Sequence, residues 1–305
     1  MAIVSVNGVI TKADDAQISA LDRGFLFGEN IFETFVAFGS KVLDIPQHLT
    51  RLRSSAERFG IDIPWRDEEF AFELEAIASQ LQAPKASIRL VVTSGLGLQL
   101  HANEKLCPQR MIYAAAALST SPEIYSTGIA LQKVSSEITK RQPSAKTGNY
   151  VASRVAVRKA KQQKFEDVLW VNGAQEVTEA STANIFFIGR HGDQIEIATP
   201  SLHSGILEGI TRRRILSLLE NAGIGAHETI ISSDELPRFD EAFVCSTVRG
   251  LVPVRQVGTQ KFHTCRKEAT YWLIERLYLT SLECELGYRP HPATGRPTDS
   301  ASSTL

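Results

Sequence analysis

The sequence predicts an α+β chain with two domains. Strand-like runs pair across short turn signals, helical stretches are interleaved with them, and a polar, proline-containing break lies near Leu118–Tyr125. At 305 residues the chain is long enough for each half to bury a core of its own.

The elements follow in order. Ile3–Val6 and Val9–Thr11 flank Asn7-Gly8, a strong hairpin signal. Ile31–Phe38 and Lys41–Asp44 flank Gly39-Ser40 and predict a second hairpin. Pro46 suits a first helical turn. Leu49, Leu52, Ala56 and Phe59 then recur at helical spacing up to the stop at Gly60. A second helix is expected over Glu68–Leu81, and buried strands over Ser87–Thr93 and Met111–Ala117. Between those strands, Gly95–Asn103 is rich in glycine and polar residues and reads as a mobile loop.

Beyond the break, a strand at Ile129–Val134 precedes a helix from Val151 to Lys161. Strands are expected at Asp167–Val171, Glu176–Thr178, Asn184–Ile188 and Ile195–Ala198. A helix runs from Ile210 to Ala222 with Gly223 as its stop. Strands at Ala226–Ile231, Glu241–Cys245 and Val252–Val257 precede a last helix near Cys265–Leu286. The predicted boundaries are 1–118 for the small domain, 119–127 for the linker and 128–288 for the larger domain. The 289–305 tail is expected to be disordered because it is rich in Pro, Ser, Thr and Gly.

Composition narrows the function classes. Apolar residues make up 43% and charged residues 22%, as in an ordinary globular protein. A net charge of -1 offers no footprint for nucleic acid or an anionic membrane. The longest apolar run, Met111–Leu118, is too short to span a bilayer. The four cysteines show no metal-type spacing, and the N-terminus reads as strand and turn rather than a signal peptide. A cytoplasmic location is therefore expected. The seven histidines are scattered without metal-ligand spacing, so no metal is expected.

The most informative stretch is Ser144-Ala145-Lys146-Thr147-Gly148-Asn149-Tyr150, a lysine on a polar turn ahead of a helix. Taken alone, Lys146 reads as a solvated helix-start lysine and Tyr150 as a core tyrosine. Tyr150 is expected one helical turn beyond Lys146, on the same side. Glu179 lies between two strands and reads equally as a loop carboxylate, with Glu176 competing for any special role. Leu207-Glu208-Gly209-Ile210-Thr211 opens a helix, whose free amides and dipole suit an anion. Thr247 follows a strand, and Arg51 offers a guanidinium fork that matches phosphate or simply faces solvent.

Four ordered blocks together resemble the class IV, or fold-type IV, pyridoxal 5'-phosphate (PLP) enzymes. These include branched-chain aminotransferases, D-amino-acid transaminases and 4-amino-4-deoxychorismate lyases. The first block is Asp22-Arg23-Gly24 through Phe32-Glu33-Thr34, followed by His48-Leu49-Thr50-Arg51. The second is Lys146–Tyr150 and the third Glu179–Phe186. The fourth joins Thr199-Pro200, Gly205–Arg212, Ser246-Thr247 and Pro253-Val254. The resemblance implies a small α/β N-terminal domain, a larger β-barrel-like C-terminal domain and a homodimer whose partner contributes to each pocket. By position it implies Lys146 as the Schiff-base residue and Glu179 as partner of the pyridine nitrogen. Arg51, Ile210, Thr211 and Thr247 match phosphate binders, Leu207 the residue packed on the ring, and Tyr150 the phenol near the ring oxygen.

The implied reaction is transamination between an amino acid and a 2-oxo acid. Phe32-Glu33-Thr34-Phe35-Val36, with Phe32 and Thr34 foremost, and Ser94–His101 are expected to line the substrate pocket. The Arg-x-His trap of well-known D-amino-acid transaminases is absent from Ser94-Gly95-Leu96-Gly97-Leu98-Gln99. Arg249 or Arg23 is therefore expected to bind a substrate carboxylate, although Arg249 also reads as a surface arginine on a turn. Phe32-Glu33-Thr34 favours a D-amino-acid or broad-range enzyme over the branched-chain form. Elimination by a 4-amino-4-deoxychorismate lyase, a branched-chain L-amino-acid aminotransferase and a folded, inactive binding protein are the alternatives.

Overall fold

The computed structural model describes residues 2–98, 106–117, 121–136, 145–192 and 194–298. The remaining parts of the loop expected at 95–103, Ser144 and the end of the tail lie outside the described residues. The chain divides into two compact units.

The first unit contains β1 (Ala2–Val6), β2 (Val9–Lys12), α1 (Arg23–Leu26), β3 (Asn30–Phe38), β4 (Lys41–Val42), α2 (Ile45–Phe59), α3 (Asp67–Leu81), β5 (Ala86–Thr93) and β6 (Gln109–Ala116). Its strands form one antiparallel sheet in the order β2-β1-β6-β5-β3-β4. The first turn places Asn7 and Gly8 at φ 51° and 90°, the left-handed pair that a two-residue hairpin requires. Pro46 sits in the first turn of α2, and Gly60 ends the helix at φ 65°.

Alternation decides what each face of this sheet does. Ile31, Phe35 and Ala37 of β3, and Ile88, Leu90 and Val92 of β5, join the core with Leu49, Leu52 and Ala56 of α2. Phe32, Thr34, Arg89 and Val91 occupy the alternate positions. Phe59, expected on the buried face of α2, is 52% exposed because the helix runs out there at Gly60.

The second unit contains α4 (Ile124–Thr127), β7 (Ile129–Ser135), α5 (Val151–Gln162), β8 (Asp167–Val171), β9 (Val177–Ala180), β10 (Asn184–His191), β11 (Gln194–Pro200), α6 (Ile210–Asn221), β12 (Ala226–Thr229), β13 (Glu241–Ser246), β14 (Gly250–Val257), β15 (Gln260–Lys261) and α7 (Tyr271–Leu286). The strand path is β12-β11-β10-β13-β14-β7-β8-β9, with β15 added to β14. The terminal strand β9 also lies against β10 and β11, so the sheet curls back on itself. Ile129, Leu169, Val177, Phe187, Val244 and Val254 point into the enclosed core. On the outer side Phe186 stacks on Phe243 at 4.9 Å between ring centroids, and α6 and α7 pack over β13.

Several boundaries differ from expectation. Ala145–Asn149 groups with the first unit, away from the larger domain to which its position in sequence assigns it. The reason is backbone pairing: Phe32 N–H donates to Lys146 O at 2.9 Å, and Ile31 bridges Thr147. The break near 118–125 contains the short helix α4, whose Tyr125 is buried. The last helix starts at Tyr271 rather than near Cys265. There the Glu241 carboxylate accepts the amides of Thr270 and Tyr271 at 2.8 and 2.9 Å, and so fixes the start. Residues 289–298, expected to be disordered, form a turn closed by the Pro290–Pro297 bridge, with Ala293 buried in the core. Arg289 anchors this turn through Glu283 at 2.9 Å.

Candidate active site

In the first unit the edge of β3 is only partly covered, because β4 pairs with Ala37 and Phe38 alone. Lys146 and Thr147 occupy the other end of that edge. Gly148 is needed for the approach: a Cβ there would collide with the Asn30 side chain. Lys146 is thereby held with its Nζ 4.6 Å from the centroid of the Phe32 ring. The expected helical spacing from Lys146 to Tyr150 is incorrect. Residues 145–150 are irregular, and Tyr150 is the residue just before α5.

The Arg89 guanidinium lies 3.6 Å from the centroid of the same Phe32 ring. Arg89 pairs in register with Thr34 and Tyr113, so these residues share one sheet face. Sequence reasoning missed Arg89. Its signal was available: a charged residue in the alternating strand Ser87–Thr93, at a position facing away from the core.

Arg51 lies on the α2 side of β3. Its Nε and Nη2 donate to Glu33 Oε1 and Oε2 at 2.8 and 2.7 Å, and His48 Nδ1 lies 2.7 Å from Glu33 Oε2. Burial alone would raise the Glu33 pKa. The Arg51 hydrogen bonds and charge, with His48, instead hold it at about 2. Burial pushes the His48 pKa down and so favours the neutral ring, while Glu33 partly opposes it. Arg23 is 4% exposed, with Nε and Nη2 on Glu29 at 2.8 and 2.6 Å, and Ser94 Oγ donates to Glu29 at 2.6 Å. Arg23, expected to meet a substrate carboxylate, pairs here with Glu29, and the two brace the start of the loop after β5.

In the second unit Glu179, on β9, accepts from Leu207 N at 3.1 Å and from Asn184 Nδ2 at 3.3 Å. Asn184 Nδ2 also donates to Leu207 O at 2.9 Å. The competing Glu176 is used in the turn before β9, where Asn172 Nδ2 donates to it at 2.7 Å. Gly209 precedes α6, and a Cβ there would meet Asn184 Oδ1 and displace that side chain. Gly209, at the N-cap of α6, has no side chain to cap it, and a helix start of this kind, with Ile210 and Thr211 in its first turn, is chemically suited to an anion. Helix α6 packs on β13, whose end leads into Thr247. Asn184 thus carries positioning work that the sequence reading gave to no residue.

Arg249 Nη2 lies 3.5 Å from Asp167 Oδ2 and 3.4 Å from Thr182 Oγ1. A cleft of about 620 Å³ runs along α5 and is lined by Tyr150, Val151, Arg154, Ser181 and Thr182 among others. Among the described residues no group of three or more His, Cys, Asp or Glu side chains is arranged to hold a metal ion.

These residues fit PLP by their chemistry. A carboxylate is held rigidly by two donors, an uncapped helix start suits a phosphate, and an amine is fixed beside an aromatic ring. The sequence model of the family described as amino-transferase class IV matches residues 30–257. A Methanocaldococcus jannaschii protein provisionally named a branched-chain-amino-acid aminotransferase is 29% identical over 260 residues, covering 83% of this chain and 87% of the relative. The D-alanine aminotransferase of Bacillus licheniformis is 26% identical over 259 residues, covering 84% and 89%. Among solved structures, a hypothetical aminotransferase from Mycobacterium tuberculosis in its PLP-bound form superposes with TM-score 0.81 at 15% identity, covering 93% of this chain and 99% of that one. Class IV aminotransferases depend on PLP, and the match across residues 30–257 makes this chain a member of that family.

Proposed function

We propose that this enzyme is a transaminase that moves an amino group between an amino acid, a D-amino acid or a broad range being favoured, and a 2-oxo acid. The observation that carries the reading is the Lys146 turn. Backbone pairing to Phe32 and the close approach at Gly148 fix an otherwise ordinary lysine beside an aromatic ring. PLP, when bound, supplies an aldehyde for amine exchange and a pyridine ring that draws electrons from the substrate's α-carbon. Lys146 Nζ would hold the cofactor at rest and, once the substrate amine displaces it, would take the proton from the substrate's α-carbon and deliver it to the other side of the transferred nitrogen. Glu179, oriented by Leu207 N and Asn184, keeps the pyridine nitrogen protonated. Ile210, Thr211, Thr247 and Arg51 would hold the phosphate, Leu207 would pack on the ring and Tyr150 would donate to the ring oxygen.

Phe32 and Thr34 line the substrate side, and Arg89 and Arg249 offer forks for carboxylates. The similarity to D-alanine aminotransferases and the Phe32-Glu33-Thr34 segment support the D-amino-acid lean. We further propose a cytoplasmic homodimer. The four cysteines form no disulfide, in keeping with a reducing compartment.

The test is an absorbance spectrum of the PLP-loaded protein, titrated separately with D-alanine, D-glutamate, L-leucine and L-glutamate. Conversion of the resting cofactor band by the D-amino acids supports the reading. Conversion by L-leucine alone gives a branched-chain enzyme instead. A band that no amino acid alters overturns transamination in favour of the lyase.

A further inference from the structure

The turn between β13 and β14, Thr247-Val248-Arg249, carries two residues assigned above, one to phosphate and one to substrate. It is held from behind by three tyrosines that the reaction does not use. Tyr125 Oη donates to Arg249 O at 2.9 Å. Tyr271 Oη lies 3.5 Å from Leu251 O and 3.4 Å from Glu275 Oε1, so its proton is shared between the strand and the helix. Gly250, at φ 67°, lies against Tyr278, where a Cβ would sit 3.4 Å from the ring's Cε1. The three tyrosines reach the turn from two elements: Tyr125 lies on α4, 124 residues from Arg249 in sequence, and Tyr271 and Tyr278 lie on α7.

A peptide unit is planar, so fixing the direction of a carbonyl fixes the amide that shares its plane. The Tyr125 bond therefore sets the Arg249–Gly250 peptide, and with it the origin of the Arg249 side chain. The β13–β14 register, Ser246 opposite Gly250, carries the constraint across to Thr247. Core packing alone explains a buried tyrosine ring but does not require its hydroxyl to meet this particular carbonyl. Tyr125 Oη also lies 3.4 Å from Pro292 O. The single hydroxyl proton goes to the nearer acceptor, at Arg249.

We propose that Tyr125 is a positioning residue for the 247–250 turn, acting with Tyr271 and Tyr278, and that its hydroxyl tunes the affinity of this turn for PLP and amino donor. The inference rests on the reading of Thr247 and Arg249 given above.

The test is Tyr125→Phe in the full-length protein, which keeps the ring and removes the hydroxyl. Four quantities are measured: the dissociation constant of PLP from the apoprotein, KM and kcat for the amino donor, hydrogen exchange of the 246–251 segment, and Tm. The expected result is about a fivefold rise in the PLP dissociation constant and in KM, the size of one neutral hydrogen bond. Exchange in the turn quickens, and kcat stays within about twofold. Tyr271→Phe, which keeps the ring and loses the longer contacts to Leu251 O and Glu275, is expected to give the same pattern more weakly, and it serves as the test if Tyr125→Phe does not fold. Unchanged PLP affinity, KM and turn exchange overturn the inference, whatever happens to Tm. Wild-type protein that takes up no PLP overturns the reading of the site and this inference with it. Normal uptake by wild type beside an unchanged variant overturns this inference alone.

Discussion

Arg51 and Glu33 meet as a two-bond fork in the first unit, with the Arg51 Nε and Nη2 donors on separate oxygens of a carboxylate that is 0% exposed. The pair gives Arg51, proposed above as a phosphate binder, a fixed direction in the absence of ligand. Removing one partner of a buried pair leaves the other charge uncompensated, which is far costlier than losing a surface bridge. Glu33→Gln is expected to lower unfolding stability by about 3 kcal/mol and to weaken PLP binding, measured by urea unfolding and PLP titration of the same variant. The sign with pH follows from the depressed pKa. Wild type holds the Glu33 contribution in full above the ordinary carboxylate value of 4.5 and loses it as pH falls toward about 2. The stability gap between wild type and variant should narrow across that window.

The Lys146 turn depends on absent side-chain volume at one position. Gly148→Ala forces a methyl into the Asn30 side chain, an overpacking cost of about 1–3 kcal/mol borne by the segment that carries the lysine. PLP uptake is expected to slow, and transamination to fall well before the global Tm does. Asn30→Ala in the Gly148→Ala background should restore part of both, which stopped-flow uptake of PLP measures. No recovery in the double variant would count against the steric account.

Arg89 tests the face of the first sheet that looks away from its core. Arg89→Ala is expected to lower kcat/KM at least tenfold for an acidic 2-oxo acid, since a charge-assisted bond is worth about 1.5–3 kcal/mol. Arg89→Lys should restore little, because a lysine lacks the planar fork. Steady-state kinetics with 2-oxoglutarate and pyruvate separate this from general damage, which would lower both alike.

Much of the fold was legible because its signals are local. The Asn7-Gly8 turn, Pro46 and Gly60 around α2, and Gly223 after α6 each impose a backbone conformation that the residue itself announces. The misjudged parts depend on partners distant in sequence. The start of α7 is set by Glu241, the order of residues 289–298 by a bridge and by Glu283, and the placement of Lys146 by the open edge of β3. The site divides the same way. Glu179 and the α6 start stand in recognisable blocks. Arg89, Asn184 and the filling of Arg23 by Glu29 emerge only when strands are paired and side chains face one another.

Glu275 on α7 gives a second pH signature, independent of the cofactor. Burial pushes its pKa up to about 7, partly offset by the Tyr271 hydrogen bond. A carboxyl whose folded value exceeds its unfolded value contributes stability below pH 4.5 and loses it as pH rises through about 7. Glu275→Gln, which stays neutral, is expected to be more stable than wild type at pH 8 by a margin on the order of 2 kcal/mol. At pH 4 the two should be nearly equal. Thermal unfolding across pH 4–8 reads the difference, and a margin independent of pH would contradict the assignment.

The most direct test of the account is to identify the lysine that carries PLP. The purified protein is loaded with PLP, reduced with borohydride, digested and mapped by mass spectrometry. The account predicts the reduced pyridoxyl mass on the peptide containing Lys146, and its loss, together with the visible cofactor band, in Lys146→Ala. Stoichiometric label on another lysine, such as the buried Lys85, or a Lys146→Ala protein that retains the band and exchanges amino groups, would contradict it.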